Sequence, residues 1–271
     1  MQRYISKELT HFVGRGLPTE EDKYNLLVKI IRGGWLTYPP HDKQGKPPKL
    51  TFKNAVPINE KASGEGKSFE KELRLRRNIK ATSFEDNNLY NANMVCFCDI
   101  PVGDLAIHMK KYSGFGLAFN KELLAKKGVR PVNYIPIGAR NVGTREPLGG
   151  YLNEMARLVE STADQSSYLS RAESDFPVQG TEISLDQIKE NIEKGRQLLL
   201  WEWFSFIKFF DELLPDDDEG NYYFEREWRS LYDVDFAFAD IRRIILPEEY
   251  ATRFRDDLPE YCGELVFSHV P

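Results

Sequence analysis

Phe224-Glu225-Arg226-Glu227-Trp228-Arg229 concentrates two carboxylates and two guanidinium groups in one short run. As a β-strand, alternation sets Glu225, Glu227 and Arg229 on one face and Phe224, Arg226 and Trp228 on the other. Two explanations fit that pattern. One is a solvated sheet face carrying a cross-strand ion network, which is common on half-exposed antiparallel sheets. The other is an active-site strand, in which one carboxylate works and the arginine orients it.

Other residue types extend the search. His11 lies at the end of an early strand candidate, in Thr10-His11-Phe12. It either hydrogen-bonds a ligand hydroxyl or serves as a satisfied structural histidine. Cys96 and Cys98 are two apart and share a strand face, with Asp99 and Phe97 on the opposite face. Packing explains this cysteine pair better than metal binding, because no nearby histidine completes a ligand set. Gly114-Phe115-Gly116 lacks a following Lys-Ser/Thr and reads as close backbone approach rather than a phosphate loop. Gly-x-Ser-x-Gly, His-Glu-x-x-His and the dinucleotide-binding glycine fingerprint are absent.

The elements that must position these residues follow from periodicity. Leu26, Leu27, Ile30 and Ile31 predict a helix over 20–32, with Thr19 as N-cap, acids in the first turn and Gly33-Gly34 as the stop. Strands are expected at 94–100, 114–119, 130–137, 221–234 and 241–246, and short helices at 105–112 and 121–127. Helical periodicity dominates 152–162 and 184–210, and Trp201 to Phe210 reads as a buried aromatic helix. Residues 41–80 hold eleven Lys or Arg against five Asp or Glu and several Gly and Pro. They predict a long surface loop, a candidate patch for phosphate backbones.

Composition bounds the rest. The chain has 271 residues, 41% of them hydrophobic, and a net charge of -5. That suffices for a real core and disfavours bulk polyanion binding. Three cysteines without a Cys-x-x-Cys pair argue against a disulfide framework or zinc ribbon. The N-terminus has no apolar run after its basic residues, and Leu198 to Phe210 contains Glu202 and Lys208, too short and too charged to span a bilayer. A cytoplasmic protein without membrane contact is expected.

In order, His11-Phe12, a helix, Ile31-x-x-Gly34-x-Leu36, Val95-x-Phe97-x-Asp99-Ile100-Pro101, His108, Tyr112-x-Gly114-x-Gly116 and Glu225-x-Glu227-Trp228-Arg229 resemble the AbiGi type of bacterial abortive-infection family and related Glu-Trp-Arg domains. The resemblance runs from about residue 5 to 250. More remotely, the layout is similar to ADP-ribosyltransferases. That resemblance implies a single α+β domain over 1–271, with two packed, mostly antiparallel sheets, flanking helices, the basic loop 41–80 and a helical insertion at about 150–215. It implies NAD as substrate, with His11 at the ribose and Phe12 beside it. Gly34 and Leu36 would form the turn after the helix, Phe97 the second motif strand, and Tyr38 or Tyr112 the aromatic against nicotinamide. Glu227 would be the catalytic carboxylate, with Glu225 activating the acceptor and Arg229 orienting Glu227 or binding pyrophosphate. Two departures stand out: Phe-Val follows His11 where many members have Gly-Thr, and Cys96-Phe-Cys98-Asp replaces a Ser- or Tyr-bearing second motif.

Nicotinamide–ribose cleavage passes through an oxocarbenium-like state, which a rigidly held carboxylate stabilises. Three functions follow. The first is an NAD-dependent ADP-ribosyltransferase toxin of a phage-defence system, acting on a macromolecule such as RNA or DNA presented to 41–80. The second is a non-catalytic antitoxin or regulatory binding protein of such a system. The third is a metal-dependent nuclease using Glu225, Glu227 and Asp99 around Mg²⁺.

Overall fold

The computed structural model describes residues 6–38, 50–51, 91–92, 94–143, 145, 147–152, 155, 158, 185–211, 213–215, 218 and 221–268. The basic segment 41–80 lies outside them apart from Leu50 and Thr51. The strands are β1 (Glu8–Phe12), β2 (Trp35–Leu36), β3 (Leu50–Thr51), β4 (Asn91–Ala92), β5 (Val95–Cys98), β6 (Gly116–Asn120), β7 (Arg130–Pro131), β8 (Asn133–Pro136), β9 (Ile207–Phe210), β10 (Glu227–Ser230), β11 (Val234–Asp235), β12 (Ile241–Leu246) and β13 (Glu264–Phe267). The helices are α1 (Glu20–Gly33), α2 (Ala106–Lys111), α3 (Lys121–Lys126), α4 (Leu185–Gln197) and α5 (Ala251–Asp257).

The chain divides into two compact units, one of Met1–Lys49, Asn93–Tyr134 and Phe210–Pro271, the other of Leu50–Ala92 and Ile135–Phe209. The first holds a seven-stranded sheet in the order β13-β12-β6-β1-β5-β10-β7. All its ladders are antiparallel except β12 with β13. The fold is mixed α+β, as expected. Among the described residues, however, there is one large sheet rather than two packed ones, and the remaining ladders (β2–β11, β3–β4, β8–β9) have two strands each.

Helix α1 forms for the reasons its sequence predicts. Thr19 Oγ1 accepts the Asp22 amide at 3.0 Å, which satisfies one of the free N-terminal donors. Tyr24, Leu27, Val28, Ile30 and Ile31 are buried on one face. Gly34 ends the helix at φ 67°, its amide reaching the Ile30 and Ile31 carbonyls. A Cβ at Gly34 would meet the Phe236 carbonyl at 2.9 Å. Gly34→Ala is therefore expected to lose about 2 kcal/mol, from left-handed strain plus this clash, in urea unfolding. This is the structural account of the Gly34-x-Leu36 turn: Leu36 is buried on β2 opposite Val234 of β11.

Register assigns the two faces of the large sheet. Thr10 pairs with Cys98 and Ala118, and Cys98 with Glu227, so these share one face. Leu9, His11, Phe97, Leu117, Phe119 and Trp228 take the other, where most of them pack with α1 in the main core. The Thr10 face is covered by Leu105, with Met109 of α2 beside Cys98 and Ile245.

Three sequence expectations change in detail. Residues 130–137 divide into β7, which pairs with β10 and whose ladder the Val132 amide extends to the Glu227 carbonyl at 2.9 Å, and β8, which pairs with β9 instead. Residues 221–234 open with a 3-10 turn, Tyr222–Glu225, before β10 begins. Trp201 to Phe210 is helical only as far as Phe206, and not α-helical, with the last four residues a strand. A π-helical turn over Leu198–Trp203 and a 3-10 turn over Phe204–Phe206 lead into β9. Its aromatic and β-branched residues favour a pleated surface, and Phe204 and Phe209 form a small core there with Ile135, Leu152, Met155 and Trp201. No helix among the described residues is long and apolar enough to cross a membrane.

Candidate functional site

The charged run folds against the Thr10 face of the sheet. Glu225 is not on a strand but ends the 3-10 turn. Arg226 then adopts left-handed backbone (φ 42°), and β10 starts at Glu227. The side chains of Glu225, Glu227 and Arg229 nevertheless come to one neighbourhood. Both glutamates act electrostatically on the phenols of Tyr112 and Tyr134.

Each charge there has a partner. Arg229 donates from Nε to Glu227 Oε1 at 2.8 Å and from Nη2 to Oε2 at 3.1 Å, a two-point pair along one strand face. Glu227 is 8% and Arg229 9% exposed, so little solvent reaches either. Burial works against the Arg229 charge, but the Glu227 carboxylate more than offsets it and holds the guanidinium pKa above its ordinary value. The Glu227 amide donates to Tyr134 Oη at 2.7 Å. Glu225, 3% exposed, accepts from Lys111 Nζ at 2.8 Å and from the Tyr112 hydroxyl. Burial, then the Glu225 charge, raises the Tyr112 phenol far above its usual range. Lys111 Nζ also lies 4.8 Å from the Tyr222 ring centroid and 5.2 Å from that of Phe224, an aromatic surround that favours its cation.

His108 on α2 completes the cluster. Its ring lies 4.9 Å from that of Phe224, edge to face, and 6.3 Å from that of Phe12, stacked. Neither ring nitrogen has a partner of good hydrogen-bond geometry. Burial lowers its pKa from 6.5 to about 4, with the Glu225 charge pulling the other way. The folded protein therefore declines a proton that the unfolded chain takes up between pH 6.5 and about 4. Stability from this residue is full above pH 6.5 and lost as pH falls through about 4, by on the order of 3 kcal/mol. His108→Phe is expected to keep the ring packing and to flatten that acid slope in urea titrations at stepped pH.

The remaining candidates separate. His11 points away from Glu227: Glu227 is in register with Cys98 and Thr10, and His11, the next residue along, alternates to the opposite face. There it tilts against Phe97 at 5.7 Å, with Nδ1 2.8 Å from the Cys96 carbonyl. Phe12, one residue on, returns to the cluster face and stacks on Tyr112 at 6.0 Å. Tyr38, 39% exposed, follows β2, and Gly34 and Leu36 serve the helix stop and core as described. Asp99 belongs to the His11 side, held by Lys121 Nζ at 2.7 Å to both oxygens and by Arg226 at 3.6 Å. It does not join Glu225 and Glu227. Among the described residues no three His, Cys, Asp or Glu side chains form a metal-ligand group. Burial pushes the Cys98 thiol up to about 12, which makes it a core group rather than a nucleophile.

Lys111, Tyr134 and Lys121 escaped the sequence reading. Lys111 had a readable signal, its place beside Tyr112 at the end of a short helix. The partners of Tyr134 and Lys121 depend on long-range strand pairing.

A family model described as "Putative abortive phage resistance protein AbiGi, antitoxin" matches residues 74–260. No curated protein and no solved structure is significantly similar to the chain. Matched over more than half of its length, the chain belongs to the AbiGi family of abortive phage resistance proteins, described as antitoxin.

Proposed function

We propose that the chain is a non-catalytic antitoxin, a protein that restrains a toxin of an abortive-infection system by binding it. The observation that carries this reading, beside the family description, is that the charged candidates are matched to one another inside the first unit. A carboxylate meant to face an NAD ribose needs access to it, and Glu227 is buried in a two-point pair with Arg229. His11, the ribose contact the remote resemblance implies, faces the other side of the sheet. The reading implies a cytoplasmic protein with a protein partner.

Co-expression with the toxin of its own defence system tests it. The chain is expected to restore growth and to co-purify with the toxin. The purified chain is expected to leave NAD intact. NAD consumption or an ADP-ribose adduct on RNA, DNA or protein, lost in a folded Glu227→Gln variant, would refute this reading.

The transferase reading is second. The convergence of Glu225, Glu227, Arg229, Tyr112 and Phe12 on one side of the sheet supports it. In that case NAD is the substrate and the basic segment 41–80 receives the acceptor. The nuclease reading has less support, since Asp99 is bound on the opposite side.

A further inference from the structure

Strand β13 closes one edge of the seven-stranded sheet, and β7 closes the other. The two edges differ in chemistry. β7 is Arg130-Pro131, and its proline offers no amide to an incoming strand. β13 is Glu-Leu-Val-Phe, with no lysine, no proline and one charge, Glu264, which already faces Arg243 at 3.4 Å. Such an edge has no lysine or proline to block pairing.

The hydrogen-bond phase shows which groups are available. The Ser268 amide donates to the Leu246 carbonyl at 2.9 Å, and Leu246 is in register with Phe267. In a parallel ladder this turns the peptide groups of Glu264, Val266 and Ser268 toward β12. The N–H and C=O of Leu265 and Phe267 point away from the sheet, and among the described residues neither group meets another hydrogen-bond partner. Phe267 is 39% exposed. An extended backbone laid along the edge satisfies all four groups in that line.

We infer that β13 pairs with β13 of a second copy of this chain, antiparallel about a two-fold axis through Val266. The segment is self-complementary in that register. Leu265 meets Phe267 of the other copy and exchanges both backbone bonds with it, Val266 meets Val266, and Glu264 meets Ser268. No like charges oppose, and the isologous contact closes as a dimer. The contact is small, under about 1,200 Å², which predicts a dissociation constant in the micromolar range rather than an obligate dimer.

Sedimentation equilibrium of the full chain from 2 to 200 μM, as roughly the span such an affinity requires, tests the inference. The wild type is expected to pass from monomer to dimer. Phe267→Pro removes an outward amide that β12 does not use, so it is expected to stay monomeric with an unchanged circular dichroism spectrum. A second variant guards against misfolding: Val266→Cys in a Cys262→Ser background is expected to form a disulfide dimer under mild oxidation, and Cys262→Ser alone is not. A wild type that stays monomeric throughout, a folded Phe267→Pro that dimerises as the wild type does, or failure of the cysteine variant to cross-link overturns the inference. Protection of the Leu265 and Phe267 amides only when a toxin is bound would assign the edge to that protein and equally overturn it.

Discussion

Glu227→Gln is expected to lower the unfolding free energy by about 3 kcal/mol. The loss comes from Arg229 rather than from Glu227. A guanidinium 9% exposed and bound at two points keeps its charge when its carboxylate partner is gone. Removing both charges is expected to cost far less, because a well-packed apolar pair of similar volume replaces a buried ion pair at little loss. Glu227→Met with Arg229→Met should therefore be more stable than Glu227→Gln alone, in a urea double-mutant cycle. If the double variant is the less stable of the two, the pair is not acting as a buried ion pair. The cycle also serves the functional question. On the antitoxin reading, the folded double variant still neutralises the toxin, and on the transferase reading it is inactive.

Lys111→Met is expected to be comparably damaging, again by about 3 kcal/mol, through the carboxylate it leaves behind. Glu225 is 3% exposed and accepts from Lys111 Nζ at 2.8 Å and from the Tyr112 hydroxyl. Methionine keeps the length and the contact with the Tyr222 and Phe224 rings but supplies no charge. Tyr112→Phe should lose less, about 2 kcal/mol, because Lys111 still balances Glu225 and one charged hydrogen bond is lost. Thermal melts at fixed pH would rank the two. If Tyr112→Phe proves the more damaging, the hydroxyl rather than the ammonium is what keeps Glu225 buried.

Glu227 and Arg229 are neighbours on one strand, whereas Lys111 reaches Glu225 from a separate helix, and there local and long-range determinants part. Helix α1 was legible in full. Its N-cap, acidic first turn, apolar spacing and glycine stop are local features, and the structure reproduces each. The strands at Val95–Cys98 and Gly116–Asn120 and the helices at 106–111 and 121–126 were legible for the same reason. In Trp201 to Phe210 an apolar run without clear period fits either structure, and pairing with β8 makes its last four residues, Ile207–Phe210, a strand rather than helix. The family resemblance also rested on ordered sequence pieces, and the match over 74–260 bears it out.

The sequence by itself determined that Glu227 and Arg229 share one strand face, since two-residue spacing on a strand brings side chains to one side, whereas Glu225 comes from a 3-10 turn to which that alternation does not apply. It also determined the Asp99 and Phe97 face, opposite to Cys98. What only the tertiary structure decided is who meets them. The register of β10 on β5 and of β5 on β1 sends His11 to the far face and Phe12 to the near one. A shift of one residue in either ladder would exchange those faces, and nothing local to His11 or Glu227 specifies it. Lys111, Tyr112 and His108 reach the charged run through a separation of more than a hundred residues, by burial of α2 on that side of the sheet. So the charged strand stands out in one dimension as a candidate centre of chemistry. In three dimensions it is a buried, mutually neutralised cluster, because burial forces each charge to find an opposite one.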